Sequence, residues 1–140
     1  MEKERTYGRA LERLRGARLR PTRQRLGLAK LLFENGHRHV TAEILHHEAK
    51  GAGLRVSLAT VYNTLHQFTS SGLLRELVMD PKRFYFDTNI SNHHHFYFED
   101  SGRLEDILGA EVVISEIPTP PKGAAVDRVD VVVRLKNNLM

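Results

Sequence analysis

Three consecutive histidines, His93, His94 and His95, stand in a 140-residue chain that contains no cysteine. In an extended segment successive side chains alternate, so His93 and His95 would point to one side and His94 to the other. Two neutral imidazoles on one side, with a carboxylate such as Asp87 nearby in sequence, make a donor set suited to iron, manganese or zinc. His39, in the segment G-H-R-H-V over 36–40, could add a ligand from further away. A solvated histidine-rich loop is the bland alternative for a lone triplet. The missing cysteines exclude disulfides, thiolate-bound zinc or haem, and a cysteine nucleophile. No His-Glu-x-x-His helix, Gly-rich phosphate loop or positioned nucleophile accompanies the triplet, which weighs against a small His/Asp metalloenzyme. The chain is therefore not expected to be an enzyme.

A second kind of chemistry lies in Val56–Thr69, V-S-L-A-T-V-Y-N-T-L-H-Q-F-T. Ser57 is a good N-cap, and Leu58, Val61, Tyr62, Leu65 and Phe68 recur at the spacing of one helical face, with Ser70, Ser71 and Gly72 ending a helix of roughly four turns. The outward face carries Ala59, Thr60, Asn63, Thr64 and Gln67, short neutral groups where an ordinary solvated face would show Glu and Lys. Such groups can approach base edges in a major groove, where donors, acceptors and the thymine methyl are read.

The charge distribution points the same way. The net charge is +4, but residues 1–55 hold thirteen Lys and Arg against six Asp and Glu, whereas residues 56–140 hold eight against eleven. A basic front lobe is the footprint of a chain that meets phosphates. Arg20 and Arg23 crowd the first turn of a helix that Thr22 should cap, against the preference of the helix dipole, and a nearby anion such as a DNA phosphate resolves the conflict.

These side chains need elements to hold them. Arg5, Tyr7, Ala10, Leu11 and Leu14 belong to a first helix that Gly16 stops. Leu26, Leu28, Ala29, Leu31, Leu32 and Phe33 continue the Thr22-capped helix to Asn35-Gly36, and Thr41 caps a third that buries Ile44, Leu45 and Ala49. After Val56–Thr69, the runs Leu73–Met79 and Arg83–Thr88 read as strands joined by Asp80-Pro81-Lys82. The pattern predicts a winged helix-turn-helix domain over residues 1–88, with Ser57, Ala59, Thr60, Tyr62 and Asn63 on its reading helix and Lys82 and Arg83 at its wing tip. Beyond it, His95–Glu99, Glu111–Glu116 and Val126–Leu135 read as strands of a small α/β module over residues 89–140. About fifty residues bury little surface alone, so this module is expected to complete its core against a second copy, giving a homodimer. The fold class is α+β. No apolar run approaches the roughly 20 residues that span a bilayer, so no membrane is expected and a cytoplasmic location is.

Taken together and in order, L-R-P-T-R-Q-R, H-V-T-A-E, S-L-A-T-V-Y-N-T-L, Y-F-D-T and H-H-H resemble the ferric uptake regulator (Fur) family. The triplet, the absent cysteines and the short second domain look most like its iron response regulator (Irr) branch of alphaproteobacteria. The resemblance covers most of the chain and is strongest from Leu19 to His95. It implies an iron- or haem-responsive regulator of iron and haem metabolism genes that binds operator DNA as a dimer and is inactivated by haem. The alternatives are a metal-dependent peroxide sensor or a manganese- or zinc-sensing repressor of the same family. By position, Arg20 matches a basic DNA contact and Tyr62 a base-contacting tyrosine, while Asn63 stands where many relatives carry arginine. His39, Asp87, His93 and His95 match the interdomain regulatory metal site, with Asp106 where relatives carry glutamate. The C-x-x-C zinc motifs are absent, and His94 replaces an aspartate of the second His/Asp site. The branch resemblance further implies haem binding at His93, His94 and His95. Its Cys-Pro haem motif is missing, which leaves histidine to hold any haem.

Overall fold

Thr22, Thr41 and Ser57 each open a helix in the same way. Their side-chain oxygens accept from the backbone N–H three residues on, from Arg25 at 3.1 Å, Ile44 at 3.2 Å and Thr60 at 3.1 Å, satisfying donors that a helix start leaves without partners. In the computed structural model, which describes residues 8–137, the helices are α1 (Gly8–Gly16), α2 (Arg23–Phe33), α3 (Ala42–Gly51) and α4 (Leu58–Ser70). Tyr7 of the first expected stripe, and Arg5 beside it, lie outside the described residues. Gly53 and Gly72, at φ 77° and 82°, turn the chain out of α3 and α4, so that the N–H of Leu54 returns to Ala49 O and that of Leu73 to Phe68 O, both at 2.9 Å.

The chain divides into two compact units between Ile90 and Ser91, where the sequence pattern placed the break after residue 88. In the first unit the apolar faces of the four helices close one core in which Leu14, Leu28, Leu32, Leu45, Val61, Leu65 and Phe68 are fully buried. Beside them lies an antiparallel sheet of β1 (His39–Val40), β2 (Arg75–Asp80) and β3 (Arg83–Asp87), in the order β1-β3-β2. Phe86 of β3 joins the core. Asp80 Oδ1 accepts from Lys82 N at 2.8 Å and fixes the hairpin turn. This is a winged helix-turn-helix domain.

The second unit is a sheet of β4 (His93–Phe98), β5 (Arg103–Leu108) and β6 (Val132–Leu135) in the order β5-β4-β6, with β5 antiparallel and β6 parallel to β4. Several expectations need correction. The strand expected from Glu111 to Glu116 does not form. A 3-10 turn spans Gly109–Glu111, and Val113 beyond it is 86% exposed, because strand-forming residues alone supply no partner ladder. The strand expected from Val126 begins only at Val132, and β4 starts at His93 rather than His95. In the first unit, Ile44 lies 46% exposed rather than buried, and Thr64, expected on the outward face of α4, is buried at 5%. Among the described residues no helix is long and apolar enough to cross a membrane.

Candidate nucleic-acid interface and metal centre

The face expected to meet DNA is built from α2, α3 and α4, all in the first unit. Alternation of buried Val61, Leu65 and Phe68 with exposed Ala59, Asn63 and Gln67 fixes which side of α4 faces outward. Ser57, expected among the DNA-facing residues, is occupied as the cap, and its Oγ also lies 2.9 Å from Thr60 Oγ1. The segment before it is pinned by His46 of α3, whose Nε2 lies 3.1 Å from Val56 O.

Tyr62 is half-buried. Its hydroxyl donates to Glu43 Oε1 at 2.9 Å, and its ring stacks at 6.5 Å on His66, which meets Phe86 edge-on at 5.7 Å. The phenol pKa is raised, first by the hydrogen bond to Glu43, then by burial, then by the Glu43 charge. The hydroxyl proton is therefore held at neutral pH, and the oxygen keeps lone pairs to offer.

At the start of α2, Arg20 and Arg23 are exposed. Arg25 is tied inward instead. Its Nε and Nη2 donate to Gln67 Oε1 at 3.3 and 3.1 Å, and its Nη1 to the Arg20 carbonyl at 3.0 Å. The start of α2 and the face of α4 are thus joined by a side-chain bridge. Gln24, Lys50, Arg55, Ser57 and Thr60 border one depression on this side, which adds Lys50 and Arg55 to the basic surface. Lys82 and Arg83 sit exposed at the β2–β3 turn. Glu43 and the Arg25–Gln67 bridge were not read as functional from sequence. A glutamate in the first turn of a helix looks like dipole complementation, and nothing in spacing joins residues 42 apart.

Two sets of metal-type ligands occur, one in each unit. In the first, β1 and β3 pair His39 directly with Asp87, and His39 Nε2 lies 3.6 Å from Asp87 Oδ2. Asp87 is 1% exposed, and its other oxygen accepts from Asn89 N at 2.8 Å. The strand that carries His39 is held by Arg38, whose guanidinium grips both oxygens of Glu48 at 2.8 and 2.6 Å and the Leu31 carbonyl at 3.1 Å.

In the second unit, β4 places His93 and His95 on one face and His94 on the other, as alternation requires. The rings of His93 and His95 lie 4.5 Å apart, and their Nε2 atoms stand 3.5 and 3.4 Å from one atom, Asp106 Oδ1 of β5. These are long for hydrogen bonds. They match the roughly 3.4 Å that separates two donors held tetrahedrally about 2.1 Å from a common ion. His93 Nδ1 meets Ser91 O at 2.7 Å, the outer hydrogen bond that leaves Nε2 as the lone-pair nitrogen of a ligand. His94 has a different task, since its Nδ1 accepts from Val131 N at 3.0 Å and holds the chain entering β6. The residues within each set therefore fit a divalent cation.

Comparison with known proteins adds an independent line. A model of the ferric uptake regulator family matches residues 16–121. The chain is 36% identical over 97 residues, 69% of its length, to the peroxide operon regulator of Bacillus subtilis, and 33% identical over 93 residues, 66% of its length, to the peroxide-responsive repressor PerR of Staphylococcus aureus. These matches span 66% and 62% of the relatives' own lengths. Among solved structures, that of the ferric uptake regulator from Pseudomonas aeruginosa with manganese is similar at a TM-score of 0.72 and 25% identity, covering 91% of this chain and 97% of that one.

Proposed function

Because the chain belongs to the ferric uptake regulator family, a family of transcription regulators rather than enzymes, we propose that it is a metal-dependent repressor that binds operator DNA and responds to peroxide. It would work in the cytoplasm as a homodimer, its second unit pairing with that of another copy. The reading takes His39, Asp87, His93, His95 and Asp106 as the metal ligands, as the family resemblance implies. The observation that carries it is the donor set itself: imidazole nitrogen and carboxylate oxygen without sulfur, a combination suited to iron or manganese. The family resemblance and the peroxide-regulator relatives support the same reading.

When bound, ferrous iron would supply one-electron reduction of peroxide, which zinc, having no redox chemistry, would not. The protein's part is to hold the ion with groups that are themselves oxidisable. A histidine that gains oxygen loses its value as a ligand, and the ion is released.

The haem reading of the iron response regulator branch has less support. Relatives reported above are peroxide regulators, and haem taken by the triplet would draw His93 and His95 from Asp106 or His94 from the β6 backbone. Mass spectrometry separates the two. After loading with Fe2+ and exposure to peroxide, the peptides containing His39 or His93 to His95 should gain one oxygen, and after loading with Zn2+ they should not. Oxygen added on neither peptide, or equally with both metals, would overturn the peroxide reading.

A further inference from the structure

Arg25 sits where a phosphate contact would be expected, yet three of its N–H groups are occupied within the protein. Arginine has five such donors and no acceptor, so the amide atom of Gln67 that faces it is the oxygen. A glutamine alone on a helix surface can turn its amide over and exchange donor for acceptor. Gln67 cannot do so without setting its NH2 against a cation. The side chain is exposed and stands in one row of α4 with Thr60 and Asn63, at i, i+3 and i+7. What it can offer outward is an N–H donor.

We propose that Gln67 is a base-reading residue of fixed polarity, held as a donor by Arg25. It would favour, at the position it faces, guanine through O6 and N7 or thymine through O4 over cytosine, and over adenine, whose single acceptor N7 stands beside an amino group. The inference rests on the DNA-binding reading above. A glutamine using both amide atoms pairs with adenine N6 and N7. With its oxygen occupied the two-bond pattern is closed: cytosine sets an amino group against the amide N–H, and adenine keeps only N7 as an acceptor, beside an amino group that now lacks a partner. Arg25 is then a positioning residue that acts through Gln67.

The test is selection from a randomised duplex library by the full chain with Mn2+, comparing wild type with Gln67→Ala, Gln67→Glu and Arg25→Ala. Salt dependence is then measured on the enriched duplex. Wild type should enrich a two-fold motif with guanine or thymine at one position of each half-site. Gln67→Ala should flatten that position, a loss of roughly five- to hundredfold in discrimination, and leave the others intact. Gln67→Glu keeps a partner for Arg25 but presents an acceptor, so preference there should move to cytosine or adenine. Arg25→Ala should flatten the same position with the salt slope unchanged. If Arg25→Ala instead weakens all duplexes alike and lowers the salt slope by about one, it is a phosphate contact and the proposal is wrong. A motif that survives both alanine variants while their melting temperatures fall marks the bridge as a brace between α2 and α4, which also overturns it. A wild-type chain that enriches no sequence overturns the proposal together with the DNA-binding reading.

Discussion

At the scale of single residues, the chemistry turns on which atoms are already engaged. The Tyr62 hydroxyl donates a hydrogen bond to Glu43, and its pKa is raised above the ordinary 10.0 chiefly for that reason. For a group with a raised folded pKa, the associated stabilisation is whole below the unfolded value and is lost as pH rises through the folded one. Replacing Glu43 by Gln removes the carboxylate charge and weakens the acceptor, so the Tyr62 phenol should titrate nearer 10.0, as followed by its ring-carbon NMR shift; an unmoved titration would deny the contact. Arg20 and Tyr62 should separate in DNA binding. Arg20→Ala should weaken specific and unrelated duplexes alike and reduce the salt slope, because a phosphate contact carries no sequence information. Tyr62→Ala should erode discrimination instead. Equal losses of specificity in the two variants would contradict the assignment of α4 as the reader. Of the candidate residues, the histidine alternation of His93 to His95 was legible in sequence because a strand's period of two is strict. The engagement of His94 with Val131 was not, since it depends on a parallel strand 37 residues away.

At the scale of elements, capping and apolar periodicity made the helices readable, and Thr22, Thr41 and Ser57 cap as their types require. Ser57→Ala should cost about 1 kcal/mol in urea unfolding, and Ser57→Gly only a few tenths. Leu65, fully buried in the core, should cost about 2–5 kcal/mol as Ala, and a loss below 1 kcal/mol would mean that α4 is not packed as described. The strands were harder. β5, R-L-E-D-I-L, buries only Ile107 and carries charges that resemble a loop, so nothing in its composition marks a strand. β1 is two residues long and exists because β3 offers it a ladder. Conversely E-V-V-I-S-E over 111–116 has strand-like residues but pairs with no strand among the described residues. Ile44 and Thr64 exchanged their expected environments for a similar reason: one-dimensional spacing gives a face to within about a residue, and packing against neighbouring helices sets the remainder.

At the scale of the whole molecule, the first unit carries an exposed basic surface, and each unit carries its own set of His and Asp ligands. If the proposed ion governs the DNA-binding state, it and DNA are coupled. A ligand shifts an equilibrium only by its differential affinity for the two states, and the coupling is reciprocal. The direct measurement is fluorescence anisotropy of an enriched duplex titrated with the full chain, in chelator and in Mn2+, for wild type and His95→Ala. Mn2+ should tighten wild-type binding by roughly 5- to 150-fold, the range of ordinary allosteric coupling, and leave His95→Ala nearly unchanged. Equal wild-type affinity with and without Mn2+, or a His95→Ala response as large as that of wild type, would contradict the claim that these ligands govern DNA binding.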